Sequence, residues 1–198
     1  RNQCRSGYGA TFTYKELDSN PFDNPTYILK YTQVFEWGKN SQITNMKVIL
    51  QRVLSASVTV DKEMISSIGK GVLAFAAVAP GDTEKEADLM AAKVLRMKLW
   101  DDEEGVKWKK SVGDIGGEVL CVSQFTLLAS TKKGAKPDFH GAANPEEARR
   151  LYHYFVQKVK AGYMEERVKD GQFQAWMEVA LVNDGPVTLE LKNGAKTE

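Results

Sequence analysis

Two short segments carry polar residues where their surroundings call for apolar ones. In Val122-Ser123-Gln124-Phe125-Thr126-Leu127 a hydroxyl, an amide and a second hydroxyl interrupt a run whose neighbours read as a buried strand. Buried polar groups cost ~1–3 kcal/mol each unless hydrogen-bonded. The segment is therefore an internal network, the wall of a polar cleft, or a strand with one wet face. The second segment is Asn183-Asp184-Gly185-Pro186-Val187-Thr188, between two strand-like runs. Pro186 cannot donate to a ladder, and Gly185 admits backbone angles closed to other residues. A Gly-Pro bond is also where a cis peptide costs only ~0.5–1 kcal/mol. Taken alone, this segment reads as a hairpin turn.

Other chemistries find no support. The chain has no GxSxG elbow, HExxH, CxxC, GxGxxG after a strand, or GxxxxGK[ST], so no metal, nucleotide or other cofactor is expected. Two cysteines, Cys4 and Cys121, provide no disulfide framework. Cys121 lies in an apolar run and reads as a buried thiol of a reducing compartment, which points to the cytoplasm. His140 falls in a polar loop and His153 among aromatics on a helix, and neither reads as a triad member. The net charge is +1, so a polyanion would have to be held by a local patch. No apolar run reaches the length of a membrane span.

These segments need a scaffold, and its elements are legible from Met46 onward. Residues 1–45 carry two Asn-Pro pairs, no sustained periodicity, and five basic against four acidic residues, too acidic for a transit peptide. They read as a poorly ordered N-terminal extension, with the domain at 46–198. Lys47–Val53 reads as a strand-like run and Ala56–Val60 alternates with period two, with Asp61-Lys62-Glu63 turning toward Met64-Ile65-Ser66 as a hairpin. Gly71–Ala79 and Glu118–Leu128 read as buried strands, the second enclosing the polar segment. A helix begins after Asp82-Thr83. Asn144-Pro145-Glu146-Glu147 caps another, which Gly162 stops. Met177–Val182 and Val187–Leu191 read as two final strands. Hairpin joins outnumber crossovers. The expected class is α+β, a compact β-rich domain with a largely antiparallel sheet and two main helices on one side.

Together the two segments are more specific than either alone. SQFTL followed some sixty residues later by NxGPxT resembles the D-aminoacyl-tRNA deacylase family, of the D-tyrosyl-tRNA deacylase type. The resemblance runs from Met46 to about Leu191. It takes in Leu50-Gln51-Arg52-Val53, the Gly69-Lys70-Gly71 turn, the loop Lys133–Phe139, and the helix bearing Leu151, Tyr152, Tyr154 and Phe155. Lys133 and Lys136 stand where the family usually has arginine, which keeps charge but loses the planar fork for phosphate.

The resemblance implies a homodimeric hydrolase of the ester between a D-amino acid and the terminal ribose of tRNA, with glycyl-tRNA as a further substrate. It assigns Ser123, Gln124, Phe125 and Thr126 to the catalytic centre. The amides of Phe125 and Thr126 would hold the oxyanion, and the substrate's own 2′-hydroxyl would assist water. Gly185 and Pro186 would form a chiral filter entering the partner subunit's site through a cis bond. Asn183, Thr188, Phe139, Met177, Lys133 and Lys136 would bind substrate at the acceptor end. Two other classes stay open on the residues: a nucleic-acid-binding module without catalysis, in which Phe125 and Phe139 offer stacking surfaces, and an esterase with Thr126 or Ser123 as nucleophile.

Overall fold

In the computed structural model, residues 2–5, 11–14, 46–132 and 134–192 are described. Two units separate, Arg1–Gly38 and Lys39–Glu198. In the first, β1 (Asn2–Arg5) and β2 (Thr11–Tyr14) pair antiparallel. The rest of the expected extension lies outside the described residues.

The second unit is organised around β3 (Lys47–Val60), whose fourteen residues alternate between buried and partly exposed. β4 (Glu63–Ile68) returns along its far half through a turn in which Asp61 and Lys62 take positive φ, as a tight hairpin requires. β5 (Gly71–Ala77) pairs antiparallel with its near half. An irregularity around Leu54 resets the pleat, so that Val53 and Ala56 both point to the same core.

The chain then makes two crossovers. Helix α1 (Glu84–Arg96) leads to β6 (Glu118–Ser123), parallel to β5. Helix α2 (Pro145–Ala161) leads to β7 (Val168–Asp170), parallel to β6. Local chemistry starts both helices. Thr83 and Glu86 form a reciprocal capping box on α1, while Asn144 caps α2 ahead of Pro145. Three pairings are antiparallel and two parallel, giving the expected α+β sheet.

The inner strands β5 and β6 are buried on both faces, while β4 and β8 keep many exposed residues. Ala87, Met90, Ala91 and Val94 of α1 and Leu151, Tyr152, Phe155, Val156 and Val159 of α2 cover Val48, Leu50, Val72, Ala74, Val119 and Cys121. Val53, Val58, Leu73, Leu120 and Val122 face a second cluster. Each buried Val, Leu, Phe or Met among them contributes ~1.5–3 kcal/mol by leaving water.

Two expectations are corrected. The strand beginning at Glu118 stops at Ser123, and Phe125–Leu128 is a 3-10 turn. Gln124 N–H donates to Ala76 O at the end of β5, and beyond that point β5 offers no further ladder. The two final strands are one, β8 (Glu178–Lys192), and both halves pair with β3. A hairpin would have needed the halves to pair with each other. Between Gln51 and Val53 the partner on β8 jumps from Thr188 to Asn183, so Asp184–Val187 loops out of a continuous strand.

Candidate active site

The 3-10 turn places an unusual set of groups at the carboxyl end of β6. Ser123 ends the strand, half-buried, and Phe125 is 56% exposed. Gln124 Nε2 donates to Thr126 Oγ1, which fixes both side chains. Leu127 N–H bonds Gln124 O and Ala129 N–H bonds Thr126 O. The first amides of such a turn have no acceptor within it, which leaves the N–H groups of Phe125 and Thr126 for an outside oxygen. Lys47 Nζ, reaching Leu127 O at 3.3 Å, ties the turn to β3.

A second loop folds against this turn. Ser130 and Asp138 exchange backbone hydrogen bonds of 2.7 and 2.9 Å. The loop thus returns Phe139 to Phe125, edge to face, with ring centroids 5.1 Å apart. Lys136, Pro137, Asp138, Phe139 and His140 line an open cleft of about 640 Å³. Asp138 accepts His140 N–H and contacts its ring, which holds the carboxyl below its usual range. Lys133 lies outside the described residues.

The other motif forms a braced bulge. Asn183 Oδ1 accepts Val187 N–H at 3.0 Å, and Thr188 Oγ1 accepts from Gln51 Nε2 and Asn183 Nδ2. Asn183 and Thr188 thus hold the bulge closed from within. Arg52 holds it from the neighbouring strand. Its Nε donates to Asp184 O at 3.3 Å and lies 3.2 Å from Asp184 Oδ2, while its Nη1 donates to Leu99 O. The Gly185–Pro186 bond is cis, and Gly185 has φ +119. A cleft of about 420 Å³ beside the bulge is lined by Arg52, Asp184, Trp100, Lys70 and Lys110. Met177 packs on the second core cluster, over Gly171.

Two groups of residues result, and one chain does not join them. Ser123 lies level with Ala76, Val48 and Leu191 across the sheet. The bulge lies level with Arg52, Val72 and Val119. That is four residues along the strands and three strands across, or roughly 20 Å along the sheet. The 3-10 turn, Phe139 and Lys136 form one group; Asn183, Gly185, Pro186 and Thr188 form the other. Sequence reasoning missed Arg52 as the residue that orients the bulge. A lone arginine in a strand gives no signal until the register places it opposite Asp184.

Against known proteins, residues 49–192 match the model of the family described as D-Tyr-tRNA(Tyr) deacylase. The D-aminoacyl-tRNA deacylase of Yarrowia lipolytica is 50% identical over 147 residues, which are 73% of this chain and 96% of that protein. The D-aminoacyl-tRNA deacylase 1 of Bos taurus is 48% identical over 150 residues, 76% of this chain and 71% of that protein. A solved structure named c-Myc DNA Unwinding Element Binding Protein superposes with a TM-score of 0.73 at 47% identity, covering 76% of this chain and all of that one. The chain belongs to the D-aminoacyl-tRNA deacylase family of hydrolases.

Proposed function

We propose that this chain hydrolyses the ester of D-aminoacyl-tRNA with backbone amides as its main catalytic groups, in a site shared by two chains. Family membership supports the reaction. The observation that carries the mechanism is the 3-10 turn, whose first two amides point at no acceptor of their own beside an exposed aromatic pair. An aminoacyl ester is activated, so positioning plus preformed dipoles on the developing oxyanion suffice. Water attacks the carbonyl carbon, assisted by the 2′-hydroxyl of the terminal ribose. The amides of Phe125 and Thr126 take the oxyanion, and the bond to the 3′-oxygen breaks. Ser123 and Gln124 position the end of the tRNA, Phe139 and Met177 flank it, and Lys133 and Lys136 meet phosphates.

The roughly 20 Å between the turn and the Gly185–Pro186 bulge supports a shared site. A bulge braced by Arg52, Asn183 and Thr188 is a rigid wall suited to a partner's cleft, where it excludes an L side chain and passes a D one. Glycine has no side chain to exclude, so glycyl-tRNA is a further substrate on this reading. The working form is a homodimer acting in the cytoplasm. Incubation with D- and L-tyrosyl-tRNA tests the proposal directly. Ester loss from the D form alone is expected, and equal cleavage of both, or of neither, refutes it. The name of the solved relative at 47% identity favours a second reading, nucleic-acid binding without catalysis. Tight binding of single-stranded nucleic acid with no ester loss would establish it instead.

A further inference from the structure

Among the described residues Asp82 is the buried charged residue, at 3% exposure, and neither hydrogen bond it accepts requires a charge. It precedes the cap of α1. Its Oδ2 accepts Ala79 N–H at 2.6 Å and its Oδ1 accepts the backbone N–H of Met46 at 3.2 Å. No cation pairs with it among the described residues. The charged groups that face it, Glu86 on α1 and Glu147 on α2, are both anions. Lys47, next to Met46, is engaged with Leu127 O. Burial raises the Asp82 carboxyl above its usual range, and the two amide donors offset this only in part. A buried carboxylate with a broken or missing partner is strongly unfavourable.

The atom that Oδ1 meets is the backbone nitrogen of Met46, a residue that is 1% exposed. Met46 is the first methionine of the sequence, and the first strand of the domain starts at the next residue. The Yarrowia relative, half identical to this chain, is 96% covered within 147 residues, so a deacylase of this kind is complete without a segment as long as residues 1–45. If Met46 carried a free amino group, the same nitrogen would present an ammonium to Asp82, and the uncompensated carboxylate would become half of an ion pair. We propose that Asp82 is a receptor for a free α-ammonium at Met46, and that the form of this enzyme beginning at Met46 is locked by that pair.

Two routes give the same group. Hydrolysis of the Asn45–Met46 bond adds one water, leaving a carboxylate on Asn45 and an ammonium on Met46. Initiation at Met46 leaves the ammonium without cleavage. Mass spectrometry of the protein from its native cells separates them. A peptide from residues 1–45 beside a Met46 terminus marks cleavage, and its absence from both protein and transcript marks initiation. A native protein still joined through Asn45–Met46 overturns the claim that the Met46 form is the working one.

The ion pair is tested on the full chain, with residues 40–45 replaced by the recognition hexapeptide of a site-specific protease that leaves Met46 as the new terminus. The folded protein is compared before and after cutting. The pair needs Asp82 ionised and the amine protonated. Its stabilisation is therefore present between their folded pKa values, is lost as pH falls through that of the carboxylate, and is lost as pH rises through that of the amine. The cut protein is expected to melt at least ~2–4 °C higher at pH 7. Asp82→Asn should erase the difference. The α-amine of the cut parent should titrate above the ~7.7–8.0 of a free terminus, read from the pH dependence of its acylation. That reading needs no variant and stands if Asp82→Asn fails to fold. An amine with the ordinary value, or a cut protein no more stable than the uncut one, overturns the proposal. Deacylase activity enters neither readout, so this result is independent of the proposed reaction.

Discussion

Replacing Gly185 by Ala probes the bulge with a single methyl. Built on the present backbone, the new Cβ would lie 2.9 Å from Val187 Cγ2, 3.1 Å from Arg52 Nη2 and 3.2 Å from Val187 N. The first and last belong to the bulge itself, and the second to a guanidinium pinned on Asp184 and Leu99. None is the free end of a mobile chain. The φ of +119 adds backbone strain of ~1–3 kcal/mol for any residue with a Cβ. Relief requires Val187 or Arg52 to shift, which loosens the wall that the proposed shared site would need. At ~2–4 °C per kcal/mol for a domain of this size, strain alone should lower thermal unfolding by roughly 2–12 °C, and the contacts should lower it further. D-tyrosyl-tRNA hydrolysis should fall more than stability alone dictates. Gly105→Ala is the control: φ is +78, but nothing lies within 4 Å of its Cβ, so it tests strain without contact. The reasoning fails if Gly185→Ala melts within a degree of the parent, or if Gly105→Ala costs as much.

Further outcomes follow from the same contacts. Thr126→Ala removes the hydroxyl that receives Gln124 but leaves the Thr126 amide, so turnover should drop about tenfold or less; complete loss would mark Thr126 as a nucleophile. Thr83→Ala breaks the capping box of α1 and should cost ~1 kcal/mol in urea unfolding. Burial raises Glu86, but hydrogen bonds from Thr83 outweigh it and hold the carboxyl below 4.5. Its contribution is present above that value and lost as pH falls through the lowered one, and Glu86→Gln should flatten that part of the stability curve. Cys121 is fully buried and burial pushes its thiol well up, so in a Cys4→Ser background maleimide should label nothing until the protein unfolds. Rapid labelling of the folded protein would contradict the packing.

The sequence showed most where local chemistry decides. The turn at Asp61-Lys62, the Thr83 and Asn144 caps, the stop at Gly162 and the buried run Val119–Val122 all read correctly, because each is set by residues within one turn of one another. It misled where a distant partner decides. Glu118–Leu128 reads as one buried strand, yet β5 pairs with it no further than Ser123 and the backbone turns. Asn183–Pro186 has the composition of a hairpin turn, yet β3 runs past both flanks and keeps them in one strand. Both site motifs were legible as residue types. Their separation along the sheet was not, because it follows from the register of four strands.

The proposed shared site is tested most directly by mixing two impaired proteins. Phe125→Pro deletes the first amide of the 3-10 turn at a position where proline fits, since Gln124 before it is not helical. Gly185→Ala spoils the bulge. Each alone should hydrolyse D-tyrosyl-tRNA poorly. Unfolded and refolded together at equal amounts, half of the dimers carry one chain of each kind. In those, one site receives both lesions and the other neither, so activity should recover to about a quarter of the parent's. Mixtures no more active than their components would contradict a site built from the turn of one chain and the bulge of another.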